Sequence, residues 1–278
     1  MISYKILIII AIIIIIIFFF KNNNIKKLNI KINDNNLKLI EKKYSKKYPL
    51  NNNFFTITHY PNYNSFFLQF KNINYYVYKK NENILGTCCF TKFKNINAYY
   101  VCDLKSENKG NNLTYKFFKN FIFDKFTYKV FGVVMQPNKI IDKLKNKYYF
   151  KEYDLLNLYE CNYKDILNNY ILFKKYFGSI NFTYGYKILN IYDDKNKLIE
   201  TKKIIHLCTN NDKNYIDNLI IINNEKIKEN DKIMFCLLKK HNLNKHLYKN
   251  NIFPINKMSI IGFGCNEINF NFIRTYMI

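Results

Sequence analysis

Ala98 to Phe118 reads AYYVCDLKSENKGNNLTYKFF, and the change of texture inside it decides the fold. Ala98 to Leu104 is aromatic and β-branched, the composition of a strand. Lys105 to Asn112 is polar and carries Gly110, so it reads as a loop. Beyond it Leu113, Phe117, Phe118, Phe121, Ile122 and Lys125 recur at helical spacing, which predicts an amphipathic helix.

Working outward, Phe66 to Phe70, Tyr75 to Lys79 and Ile84 to Lys92 read as strands, with a turn at Asn81 to Asn83 between the last two. Downstream, Phe131 to Met135 is a strand stopped by Pro137. Asn138 to Lys147 is a helix carrying Ile140, Ile141 and Leu144, and Phe150 to Tyr159 is a further strand. The order predicts an α+β fold, a mixed but mostly antiparallel sheet flanked by helices. In the second half, Lys187 to Tyr192 and Leu198 to Cys208 form a hairpin about Asp193 to Lys197. Ile233 to Leu238 is a strand, Lys239 to Asn250 a helix, Pro254 a stop and Ser259 to Phe263 a strand. Leu247-Tyr248-Lys249-Asn250-Asn251-Ile252-Phe253 echoes Leu144-Lys145-Asn146-Lys147-Tyr148-Tyr149-Phe150, a repeat that suggests duplication.

The 278 residues carry a formal charge of +24, almost all of it lysine, with Arg274 the only arginine and Ala11 and Ala98 the only alanines. That composition matches AT-rich codons, as in a large DNA virus or a protist, so the charge is only a weak pointer to anionic ligands. Dispersed lysines without arginine clusters argue against a nucleic-acid partner. Seven cysteines, odd in number and without a C-x-x-C pair, read as buried free thiols rather than a disulfide framework or a zinc site, and no metal is expected.

Ile6 to Phe20 is unbroken apolar sequence that Ile2 and Tyr4 extend, with Lys5 able to snorkel. Residues 2–20 as a helix reach roughly 28 Å, close to a hydrocarbon core. No small-residue cleavage site follows, so the expected organisation begins with an uncleaved membrane anchor over 1–21 and a tether over 22–53 holding a short helix from Asn36 to Tyr44. Lysines 21, 26, 27 and 31 place the body on the cytosolic side. The sequons at Asn112 and Asn181 would carry glycans only if the body were luminal.

The strand, loop and helix of Ala98 to Phe118 resemble the GNAT family of acyl-CoA-dependent N-acyltransferases. In that family a loop of pattern R/Q-x-x-G-x-G/A binds the pyrophosphate of the coenzyme ahead of the helix, and pantetheine lies between two splayed strands. The resemblance implies one GNAT-like domain over 54–160 and a second over 161–278 without a coenzyme site. It also implies acetyl-CoA as a substrate and an amine as acceptor. Leu104, Lys109, Gly110, Asn111, Asn112, Leu113 and Thr114 are the implied coenzyme-binding positions, with Lys109 where the family has Arg or Gln, Asn112 at a glycine and Thr114 at the last small residue. Successive N–H groups at a helix start suit a diphosphate, and Asn tolerates left-handed backbone. Asp103, near the end of the strand, is the candidate base, and Tyr148 the candidate acid, because Lys145 occupies the place of the family's tyrosine. The rival reading is a catalytically inactive fold of this type acting as a membrane-tethered interaction or structural protein.

Overall fold

The computed structural model describes residues 24–28, 35–45, 48–50, 53–81, 83–107, 112–125, 127, 129–136, 142, 144–146 and 150–278. The chain runs β1 (Ile25–Leu28), α1 (Asn35–Tyr44), β2 (Tyr48–Leu50), β3 (Asn53–His59), α2 (Tyr63–Leu68), β4 (Lys71–Lys80), β5 (Asn83–Lys92), β6 (Tyr99–Ser106), α3 (Leu113–Lys125) and β7 (Val130–Met135). It continues with β8 (Lys151–Asn162), α4 (Tyr163–Asn168), α5 (Tyr170–Phe177), β9 (Asn181–Thr183), β10 (Lys187–Tyr192), β11 (Leu198–Lys203), β12 (Ile205–Cys208), β13 (Lys232–Leu238), α6 (Leu243–Lys249) and β14 (Asn256–Phe263).

Ten strands form one sheet in the order β1-β4-β5-β6-β7-β14-β8-β13-β12-β9, and β11-β10-β3-β2 form a second. Pairing in the large sheet is antiparallel except for β6 beside β7 and β12 beside β13. The expected mixed, mostly antiparallel sheet with flanking helices is what forms. Alternation along its strands separates two cores. Tyr76, Tyr78, Cys88 and Phe90 point to one face, where α3 buries Leu113, Phe117, Phe118 and Phe121. Tyr75, Val77 and Cys89 point to the other, against Phe66 and Phe67 of α2 and Ile40 of α1. The rings of Phe90 and Phe121 stack 4.0 Å apart, fixing α3 on its face.

The two halves are interlaced. The expected boundary at 160/161 falls inside β8, and β14 inserts between β7 and β8, pairing with both. Gly262 permits this insertion: a Cβ there would lie 2.3 Å from the carbonyl oxygen of Val130. Hairpin β10–β11 of the second half pairs through β10 with β3 of the first. Each half contains one parallel pair, β6 with β7 and β12 with β13.

Several expectations change. Phe66 to Phe70, read as a strand, lies mostly in α2, because the Asn62 side chain caps the Ser65 N–H at 3.1 Å and starts a helix. The tether over 22–53 is partly built into the fold: β1 extends the sheet edge on β4 with Ile25 buried, and the expected short helix spans Asn35–Tyr44. Leu198 to Cys208 splits into β11 of the small sheet and β12 of the large one. The apolar run over 2–20 lies outside the described residues, and among the described residues no helix is long and apolar enough to cross a membrane.

Candidate active site

Strands β6 and β7 are paired only from Tyr99 with Val130 to Val101 with Gly132. Beyond that point β6 stays with β5 as far as Ser106, while β7 follows β14 as far as Met135. The two strands therefore part, leaving a wedge whose walls are Cys102–Ser106 and Val133–Met135. The opening coincides with a β-bulge. Thr87 pairs with Lys105 and Cys89 with Cys102, so Asp103 and Leu104 together oppose Cys88. Asp103 takes a left-handed φ of 53°, which Asp accepts better than most side chains. A bulge leaves backbone N–H groups outside the ladder, available to a bound group.

On the face carrying α1 and α2 the wedge opens into a cleft of about 270 Å³, roofed by the small sheet. Cys102, Asp103 and Lys105 of β6 and Val133 of β7 form its floor, and Glu41, Ile57, His59, Phe66 and Lys187 its other walls. On the opposite face α3 begins beside the end of β6. Asn112, the residue before it, has a left-handed φ of 48°, and its carbonyl accepts the N–H of Lys116 at 3.1 Å. The helix start is held close: a Cβ on Gly86 would come within 2.9 Å of both Leu113 and the Lys105 carbonyl. Leu113 at the helix start thus lies close to the end of β6 and shares a core with Leu104, Asn112 is exposed and Thr114 half-buried, while Lys109, Gly110 and Asn111 lie outside the described residues.

Asp103 is the most heavily engaged group of the cleft. Its carboxylate accepts the Tyr75 hydroxyl at 2.5 Å and the Lys105 ammonium at 2.7 Å, and the Thr87 hydroxyl donates to its main-chain oxygen at 2.9 Å. Lys105 also donates to the Tyr63 hydroxyl at 2.6 Å. Burial, reinforced by the Asp103 charge, pushes both the Tyr63 and Tyr75 hydroxyls well above their ordinary pKa, so both stay protonated donors. Asp103 therefore sits at the centre of a fixed network that holds the bulge. Tyr148 lies outside the described residues. Lys145 is bonded to Glu152 at 2.5 Å, and Tyr248 of the second copy is 45% exposed against Phe253, away from the cleft.

A second group, absent from the sequence reading, completes the cleft. His59 at the end of β3 has its ring Nδ1 2.7 Å from Glu41 Oε1, and its main-chain N–H donates to the same oxygen at 2.7 Å. The ring packs edge-on to Tyr63 with centroids 4.7 Å apart. Burial lowers its pKa below the ordinary 6.5 against the opposing pull of Glu41, so the imidazole is neutral at pH 7. With Nδ1–H donated to the carboxylate, Nε2 keeps its lone pair. A neutral imidazole oriented by a carboxylate is a competent proton acceptor.

In the second half β12 and β13 pair only at Ile205 and His206 and then part. The C-terminal segment lies across the opening, with the Cys236 thiol on the Ile273 carbonyl at 3.5 Å and the Thr275 hydroxyl on the Met234 carbonyl at 3.2 Å, and a cavity of about 220 Å³ lined by Thr209, Cys236, Leu238, His241 and Arg274 remains beside it. The connection from β12 to β13 carries two short 3₁₀ turns where the first half has α3. Six of the seven cysteines are buried, and the seventh, Cys102, lines the cleft.

No family model matches the chain, and no curated protein matches it. Among solved structures it is similar to an acetyltransferase of the GNAT family from Colwellia psychrerythraea, at 13% identity and TM-score 0.40, over 86% of this chain and 99% of that one. It is also similar to a tandem GNAT protein from the clavulanic acid biosynthesis pathway, at 5% identity and TM-score 0.39, over 68% of this chain and 82% of that one. At that level the similarity is one of architecture alone.

Proposed function

We propose that this chain is an N-acyltransferase that moves an acyl group, acetyl in the simplest case, from a coenzyme A thioester to an amine. The carrying observation is the parting of β6 from β7 at a bulge, directly above a cleft that holds a neutral, carboxylate-oriented histidine. In this reading the diphosphate lies at the start of α3 and the pantetheine passes through the wedge. A bulge N–H polarises the thioester carbonyl, and the amine enters from the His59 side. His59 Nε2 takes the ammonium proton, the neutral amine attacks, the C–S bond breaks, the thiolate leaves with a proton returned from His59, and the second amine proton goes to solvent. Asp103, with Tyr75 and Lys105, keeps the bulge in shape and serves as a positioning residue. The apolar run over 2–20 supports attachment to a membrane with the body on the cytosolic side.

Titration calorimetry of the full chain in detergent with coenzyme A tests this. Saturable binding in the roughly 1 μM to 1 mM range of enzyme substrates is expected. No heat together with no thermal shift contradicts it. The engagement of Lys145 with Glu152 favours a second reading, a non-catalytic binder on a membrane, because no acid stands at the family's tyrosine position. Coenzyme binding without transfer to any of a panel of amines is the outcome that selects it.

A further inference from the structure

The only arginine of the chain, Arg274, has no part in the acyltransferase reading, yet it lines the cavity of the second half with its side chain 12% exposed. Beyond His206, β12 stays with β9 as far as Cys208 while β13 stays with β8 as far as Leu238, and the cavity of about 220 Å³ lies where these parallel strands part. That is roughly seven water molecules' share of liquid volume, so it fits a ligand of about ten non-hydrogen atoms or fewer. The Arg274 Nη1 donates to the carbonyls of Asn271 at 2.7 Å and Ile273 at 3.2 Å. Its Nε stands 3.3 Å from Asp212 Oδ1 without making a hydrogen bond. Asp212 is satisfied by other donors: the Thr209 N–H at 2.9 Å, the Thr209 hydroxyl at 2.8 Å and the Tyr276 hydroxyl at 2.8 Å. Among the described residues the Arg274 Nη2 has no hydrogen-bond partner. His241 supplies a second donor. Its Nδ1 accepts the Leu243 N–H at 3.2 Å, which puts the ring proton on Nε2. Burial, with the Arg274 charge nearby, lowers its pKa below 6.5, so the ring is neutral at pH 7. Both groups pack on Phe177, the guanidinium carbon 5.6 Å and the imidazole centre 6.4 Å from the centre of its ring.

We infer that this cavity binds a small monocarboxylate, its carboxylate on the Arg274 guanidinium and a further acceptor oxygen on His241 Nε2. Two free donors call for an acceptor ligand, and among the described residues no aspartate or glutamate lines the cavity to repel a negative charge. The planar guanidinium edge matches a carboxylate in shape as well as charge. Asp212 already offsets part of the arginine charge, so one negative charge is complementary where two or three would exceed the site. The lining mixes Asn211 and Asn271 with Leu238 and Phe270, which suits a short carbon chain carrying a hydroxyl or keto oxygen. The volume is too small for a coenzyme, so the site is separate from the wedge between β6 and β7 and does not depend on the acyltransferase reading.

The test titrates the full chain in detergent with lactate, pyruvate, butyrate and benzoate by calorimetry, against the corresponding amides and inorganic phosphate. At least one carboxylate should bind saturably with a Kd in the roughly 1 μM to 1 mM range of small-molecule sites, and its amide should bind at least about tenfold more weakly. Arg274→Gln should weaken the carboxylate by roughly 10- to 100-fold, the worth of a charged hydrogen bond. His241→Phe keeps a ring against Phe177 and removes the donor, and it should weaken binding by roughly 3- to 10-fold. Saturating coenzyme A should leave the carboxylate affinity unchanged. The inference is overturned by the absence of saturable binding of all four carboxylates up to roughly 10 mM, by an amide or phosphate that binds as tightly, or by displacement with coenzyme A. Unchanged affinity in a folded Arg274→Gln variant overturns it as well. Should that variant lose its circular dichroism because Asp212 is left without its cation, His241→Phe decides, and unchanged affinity there is the overturning result.

Discussion

Replacing Asp103 with asparagine removes a charge from the centre of the cleft while keeping the shape and the tolerance for left-handed backbone. The Asp103 side chain is 6% exposed and Lys105, 2.7 Å away, is 25% exposed. Breaking a fully buried pair costs about 3–5 kcal/mol and an exposed one about 0–1, so this half-sheltered pair sits near 2 kcal/mol. Exchanging the carboxylate that accepts the Tyr75 hydroxyl for a neutral amide oxygen adds about 1 kcal/mol. The expected loss for Asp103→Asn is therefore about 3 kcal/mol, or a fall in Tm of roughly 6–12 °C in a chain of this size. Asp103→Ala should lose about 1 kcal/mol more, because alanine at a φ of 53° carries the left-handed strain that asparagine relieves. Urea unfolding at constant m-value measures both. Combining Asp103→Asn with Lys105→Met should recover part of the loss, since the unpaired cation disappears with its partner. A loss below about 0.5 kcal/mol, well under the buried-pair range, or an alanine variant no weaker than the asparagine one, refutes the network as the support of the bulge.

His206 is buried against Gly185 with Nδ1 on the Thr275 hydroxyl at 2.8 Å, and burial lowers its pKa to about 3. The unfolded chain therefore binds a proton that the folded one refuses. Stability is complete above about pH 6.5 and falls toward pH 3 by up to about 1.4 kcal/mol per pH unit, a slope that His206→Asn should flatten in denaturant titrations across that window. Gly86→Ala brings a Cβ to 2.9 Å from Leu113 and the Lys105 carbonyl. It should cost about 1–3 kcal/mol and weaken coenzyme A binding by lifting the start of α3, and calorimetry showing unchanged affinity would count against the placement of the diphosphate. Gly262→Ala places a Cβ 2.3 Å from the Val130 carbonyl and 2.8 Å from Phe131 Cα, both rigid backbone. Loss of about 3 kcal/mol or more is expected in thermal unfolding, since the strand that interlaces the halves cannot seat.

The elements of the first half were legible because Tyr75 to Lys79 is a run of aromatic and β-branched residues and Leu113 to Lys125 carries its apolar residues at helical spacing. The hairpin turn at Asn81 was legible from residue type, and its φ of 48° is what asparagine tolerates. Long-range placement was not. Nothing local marks β3 as the partner of β10, so His59 and Lys187 gave no sign that they face each other across 128 residues (187 minus 59). The pairing of His59 with Glu41 depends on α1 docking over β3, a tertiary event invisible to spacing. Phe66 to Phe70 misled because a short apolar run has no period of its own, and the deciding signal was the cap at Asn62. Of the expected site residues, Leu104 and Leu113 share the core under α3, Asn112 and Thr114 flank the start of that helix, and Asp103 lines the cleft as an anchored group.

The central claim is that the gap between β6 and β7 admits the pantetheine arm of a thioester. A crystal structure of the protein soaked with acetyl-CoA tests it most directly. Continuous density running from the start of α3 between Cys102–Ser106 and Val133–Met135 to within reach of His59 is the expected result. Strands hydrogen-bonded to each other along those segments, or density confined to the outer surface, would contradict it.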